Sequence, residues 1–99
     1  MNLKKSQKDI YEHKKSRGFN VIDVNLEFCY LYEEVAEAFH AYRKKLPDLG
    51  EELADIAIYL LGLSEILKID LEKEINNKMK KNKKRVYKKI NGVMVRIKN

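Results

Sequence analysis

The 99-residue sequence predicts an all-α fold: an antiparallel bundle of about four helices, completed by oligomerisation, with a small C-terminal β-hairpin. Three observations predict it. Gly and Pro number four and one, so few positions interrupt a helix. Apolar residues recur at three- and four-residue spacing through the middle of the chain. Near the end, Asn91-Gly92 separates two β-prone runs, which is the residue pair a two-residue type I′ hairpin turn demands.

Each element follows in order. Leu3 to Ser16 reads as a polar amphipathic helix, stopped at Arg17-Gly18-Phe19 with Gly18 in a left-handed cap position. Asp23 is the expected N-cap of a second helix running to about Lys45, roughly 33 Å long. Phe28, Tyr32, Val35, Phe39 and Tyr42 form one stripe on it, expected to face a core. Leu46-Pro47-Asp48-Leu49-Gly50 is a short connection and favours an antiparallel neighbour. The third helix, about Glu51 to Lys68, is apolar on most sides after its first turn. Such a helix is buried on more than one face. In a chain this short, the extra cover is expected from another subunit. Asp70 caps a fourth helix, Leu71 to about Arg85, and the hairpin occupies about residues 86–97.

The length allows one domain, residues 1–99. No run of about 18 apolar residues is present, so no membrane span is expected. Met1-Asn2-Leu3-Lys4-Lys5 is not followed by an apolar stretch, so no signal peptide is expected. Cys29 is the single cysteine; it cannot form an internal disulfide and reads as a small core residue. The expected compartment is the cytoplasm. Charge is unevenly placed: residues 1–70 carry 10 Lys and Arg against 13 Asp and Glu, and residues 71–99 carry 11 against 2. An acidic body with a basic tail invites an anionic ligand such as a polyphosphate or a nucleic acid.

Two acidic clusters carry the chemistry. One is Glu33-Glu34-Val35-Ala36-Glu37, the other Glu51-Glu52-Leu53-Ala54-Asp55. Residues three or four apart share a helix face, so each cluster can aim two carboxylates the same way. If the second and third helices pack antiparallel, the pairs converge. Like charges in a groove repel and lose hydration. A divalent cation that prefers oxygen ligands removes that cost, and Mg²⁺ is the natural choice, with Mn²⁺ as a substitute. A plainer reading exists, since acidic residues in a first helical turn offset the macrodipole. It weakens for the two clusters together, because the third helix is otherwise too apolar to have a wet side. Spacing alone leaves Glu33 and Glu34 as equal partners for Glu37.

The face of Glu52 and Asp55 continues to Tyr59 and Gly62. An aromatic ring one turn from a metal site can stack on a base, and the glycine would leave room for it. An ordinary core aromatic is the equal alternative. Lys78, Asn82 and Arg85 share one face of the fourth helix and can meet phosphate. Neither His13 nor His40 completes the Glu-x-x-His pattern of di-iron bundles. The four glycines are scattered and form no phosphate loop.

Over about residues 20–87 the chain resembles the MazG-like, all-α nucleoside triphosphate pyrophosphohydrolases. The family's EExxE and ExxD motifs read here as Glu33-Glu34-x-x-Glu37 and Glu52-x-x-Asp55, and its K-x-x-x-N-x-x-R segment as Lys78 to Arg85. The resemblance implies that Glu34, Glu37, Glu52 and Asp55 are metal ligands. It implies that Tyr59 contacts the base and that Lys78, Asn82 and Arg85 approach the phosphates. It implies cleavage of a (d)NTP to a (d)NMP and pyrophosphate, in nucleotide-pool house-cleaning, by a homodimer or homotetramer with sites near subunit contacts. Glu33, spare beside the ligands, is the candidate to orient or deprotonate the attacking water. The alternatives are a basic-tailed helical module that binds nucleic acid and a regulatory scaffold without catalysis. Acidic pairs on an apolar helix disfavour the first.

Overall fold

Short polar residues at the helix starts satisfy the first free backbone N–H groups. In the computed structural model, which describes residues 1–98, Asn2, Asp23 and Asp70 each accept from the N–H three residues on, at Lys5, Leu26 and Lys73. They open α1 (Leu3–Ser16), α2 (Val24–Arg43) and α4 (Leu71–Lys83). α3 (Leu49–Ile66) begins two residues before Glu51, directly after Pro47 and Asp48, and Asp48 makes no side-chain cap bond.

Three helix ends share one device. Gly18, Lys45 and Lys68 take positive φ of 73°, 54° and 58°. The next N–H then reaches back five residues, from Phe19 to Lys14, Leu46 to Ala41 and Ile69 to Ser64, each at 2.9 Å. An apolar residue follows the left-handed one each time, as this helix stop prefers. α2 and α3 therefore end at Arg43 and Ile66, short of the expected Lys45 and Lys68.

At the C-terminal end, β1 (Val86–Ile90) pairs antiparallel with β2 (Val93–Lys98). Asn91 and Gly92 have φ of 51° and 79°, the two positive values of a type I′ turn. α4 stops at Lys83, and Arg85 already leads into β1.

α3 is the central helix. Tyr30 faces Tyr59, and Glu34 and Glu37 lie beside Glu52, so α2 and α3 run antiparallel. α1 also runs antiparallel to α3, with Gln7 at Glu65 and Ile10 and Lys14 at Gly62. A Cβ on Gly62 would lie 3.3 Å from Ile10 Cγ2 and 3.5 Å from Lys14 Cδ. The space over Gly62 is thus filled by α1 and is not left for a ligand, contrary to expectation.

Gln7 fixes α1 to the α3–α4 connection. It is 1% exposed; its amide donates to Ile69 O at 2.8 Å and Glu65 Oε1 at 3.2 Å, and its carbonyl accepts from Leu71 N at 2.9 Å. Gln7→Ala strands these buried partners, and the expected loss is about 1–3 kcal/mol of unfolding free energy. Denaturant titration measures it. A loss below about 0.5 kcal/mol, the range of ordinary surface substitutions, would show that the amide bonds are dispensable.

The apolar stripe of α2 faces outward. Phe28, Tyr32, Val35, Phe39 and Tyr42 are 41–72% exposed, so they do not line the chain's own core. Cys29 is exposed as well, not a core residue. The buried side chains of α2 are instead Glu27, Ala38 and Ala41, on the face toward α3. Leu53, Ile58 and Leu60 of α3 are also exposed. The radius of gyration is 17.0 Å, against about 13 Å for a compact domain of this length, so a single chain leaves much of its apolar surface uncovered. No helix among the described residues is long and apolar enough to cross a membrane.

Candidate metal and nucleotide site

The face that α2 turns to α3 runs Glu27, Tyr30, Glu34, Ala38 and Ala41, at three- and four-residue spacing. The two buried alanines let the helices approach closely beside the acidic residues. Glu34, Glu37 and Glu52 each aim one oxygen into a space in which all three lie within 4.8 Å of one another. Glu33 is exposed and stands outside this group. The geometry thus separates the two residues that spacing could not.

Asp55 contributes no oxygen to that tight set, but its charge acts on it. Burial first, then Glu37, Asp55 and Glu52, push the Glu34 carboxyl above the usual carboxylate range. Burial first, then Glu37, Asp48 and Asp55, do the same to Glu52. Glu34 Oε2, Glu52 Oε2 and Asp48 Oδ1 are buried with no hydrogen-bond partner. Buried acceptors without a donor are costly, and a cation satisfies them.

Tyr59 lies one turn beyond Asp55, half-buried. Its ring centroid is 6.0 Å from that of Tyr30, with the planes inclined by 58°. Burial, then the charges of Glu34 and its neighbours, raise its phenol above the ordinary value. The two tyrosines stand at the edge of a cleft of about 700 Å³ between α1, the α1–α2 loop, α2 and α3. Ile10, Phe19 and Ile58 supply its other apolar walls, and Lys14 and Glu27 its polar end.

Lys78 and Arg85 gather elsewhere. α4 packs on α1, and the charges that most raise Glu34 and Glu52 lie on α2, α3 and the turn between them. Burial, then Arg85, Lys81 and Arg96, lower the Lys78 ammonium from its usual value. The Arg85 Nε is buried without a partner. Arg96 of β2 and Tyr87 of β1 join the cluster, so the hairpin completes a patch suited to an anion. Asn82 lies on α4 with Lys78, and both are exposed.

A family model for the MazG nucleotide pyrophosphohydrolase domain matches residues 16–89. The chain belongs to this family. No curated protein and no solved structure was found to match the chain. The MazG match covers both acidic motifs and the basic helix, and begins four residues before the segment that sequence reading marked. The acidic cluster of this MazG chain can hold a metal ion: three carboxylate oxygens converge, and two of the contributing residues also carry an orphaned buried oxygen.

Sequence reading missed Lys14, Glu27, Tyr30, Asp48 and Arg96. Tyr30 and Glu27 extend the Glu34 face by one and two turns, so the same spacing rule could have found them. Lys14 and Arg96 belong to other elements and carry no local signal.

Proposed function

We propose that the chain is a Mg²⁺-dependent nucleoside triphosphate pyrophosphohydrolase, releasing pyrophosphate and a nucleoside monophosphate. The convergence of Glu34, Glu37 and Glu52 under mutual repulsion carries this reading. A bound divalent cation supplies charge for the phosphate oxygens and acidifies a water. Glu34, Glu37, Glu52 and Asp55 would hold it, and Mn²⁺ suits the same oxygens. Glu33, exposed and next in sequence to Glu34, would orient or take a proton from the attacking water. Tyr59 packs against the base. Lys78 and Arg85 offset the charge of the leaving pyrophosphate, and the Asn82 amide donates a hydrogen bond to the phosphates. They act from the same chain or from a second copy, and the uncovered faces of α2 and α3 support a homodimer or homotetramer. The role is nucleotide-pool house-cleaning in the cytoplasm, on a single domain spanning residues 1–99.

The nucleic-acid-binding alternative makes no use of buried, partnerless carboxylates. The deciding experiment incubates the protein with the full set of NTPs and dNTPs and Mg²⁺ or Mn²⁺, with product identification. Pyrophosphate and monophosphate from at least one triphosphate are expected. Release of inorganic phosphate alone would overturn the position of cleavage, and no product from any would overturn the enzyme reading.

A further inference from the structure

The cleft beside the tyrosines ends in an ion pair that the carboxylate chemistry does not use. Glu27 is 1% exposed and the Lys14 side chain 12%. Lys14 Nζ donates to Glu27 Oε1, and Asn20 Nδ2 donates to Glu27 Oε2 at 3.1 Å. Asn20 is itself fixed, donating to Asp23 O at 2.9 Å and accepting from Asp23 N at 3.0 Å. The Lys14 stem lies against Gly62, and its ammonium sits 5.3 Å from the centre of the Tyr59 ring. The pair is therefore held on three sides: by α1, by the α1–α2 loop and by α3.

A buried ion pair is a weak source of stability, since an apolar pair of the same volume often does as well. It is a strong source of discrimination. An ammonium has three N–H donors, and among the described residues Lys14 gives hydrogen bonds only to Glu27. Lys14 lines the cleft and its ammonium sits over the Tyr59 ring, so a ligand in the cleft would meet its remaining donors. A ligand that offers no acceptor there leaves them stranded, which is how a buried polar site rejects the wrong substrate. The cleft has the volume for a base and sugar. Tyr30 and Tyr59 each lie four residues, about 6 Å of helix rise, from Glu34 and Asp55. A triphosphate on the carboxylates would carry its nucleoside toward this cleft.

We infer that Lys14, positioned by Glu27, sets the base preference of the enzyme, donating to a carbonyl oxygen or ring nitrogen of a base packed against Tyr59. The inference rests on the proposed triphosphate substrate for the direction in which the ligand lies. Glu27 is the positioning residue, and Lys14 touches the substrate.

The test compares wild type with Lys14→Met/Glu27→Gln, which removes both charges together, across all NTPs and dNTPs. For the preferred base, KM rises about 10- to 100-fold, as loss of a charge-assisted hydrogen bond predicts, while kcat changes far less. The spread of kcat/KM between bases shrinks toward one. A folded double variant that keeps the wild-type KM and ranking overturns the inference, as does a wild type with no base preference. Should the double variant fail to fold by circular dichroism, Lys14→Arg replaces it. A guanidinium fork presents its donors elsewhere and shifts the ranking, and an unchanged ranking overturns the inference. Calorimetry separates this result from failure of the enzyme reading. Nucleoside binding that weakens in the variant supports the inference even if no triphosphate is hydrolysed. Equal weakening for Mg²⁺-tripolyphosphate, which has no base, overturns it.

Discussion

Glu52→Gln is expected to abolish turnover and, with metal removed, to raise the melting temperature. Both effects have one cause. Glu52 sits among Glu37, Asp48 and Asp55, and burial and their charges raise its carboxyl above the usual range. A carboxyl raised on folding contributes most to stability below its unfolded value, about 4.3, and loses that contribution as pH climbs through the folded value. At neutral pH and without metal, the charged form is therefore a burden on the fold. Gln keeps the shape and removes the charge. A gain is expected at pH 7, vanishing near pH 4. The activity loss should exceed about 100-fold, since even outer-shell partners of a metal cost 10- to 100-fold. Thermal melts in EDTA and a pyrophosphate-release assay measure the two halves. Wild-type turnover in the variant removes Glu52 from the site. A lower melting temperature in EDTA would show that the carboxylates are stabilised by something other than a cation.

The second large effect is stabilisation by the metal itself. A ligand that binds only the folded chain at a hundredfold excess over its Kd adds about 2.7 kcal/mol. In a chain of this size that raises the melting temperature by about 10–20 °C. Mg²⁺ or Mn²⁺ is expected to do this, and less so in Glu34→Gln or Glu52→Gln. Because the ligands must be ionised, and Glu34 and Glu52 are raised, the stabilisation should be weak near pH 4.5 and grow toward pH 7. A melting curve indifferent to millimolar Mg²⁺ and Mn²⁺ across that range would remove the metal from the account.

Local features were the most legible in the sequence. Asp23 and Asp70 cap their helices as read, and Asn91-Gly92 makes the turn, because each depends on bonds within a few residues. The convergence of Glu34, Glu37 and Glu52 was legible too, since helical spacing and a short connection bring them together, although Asp55 stays outside the tight set. The direction of α2 was not. Periodicity found its apolar stripe at Phe28, Tyr32, Val35, Phe39 and Tyr42, but the face turned to α3 is the one bearing Glu27, Tyr30 and Glu34. A charged face points inward only where something other than apolar burial is being arranged, and a hydrophobic pattern cannot report that. The docking of α4 was equally hidden: it depends on Gln7, sixty-four residues before the N–H of Leu71 that it holds.

One arrangement bears on how this MazG chain can change. The family match begins at residue 16, so nearly all of α1 lies before it. Yet α1 forms one wall of the cleft and seats on α3 over Gly62, while every carboxylate of the acidic cluster comes from α2 and α3. One wall of the cleft, the one that carries Lys14, is thus encoded apart from the acidic cluster. If Lys14 selects the base as inferred, mutations in the first fifteen residues would retune which nucleotide is chosen and leave the acidic cluster unchanged.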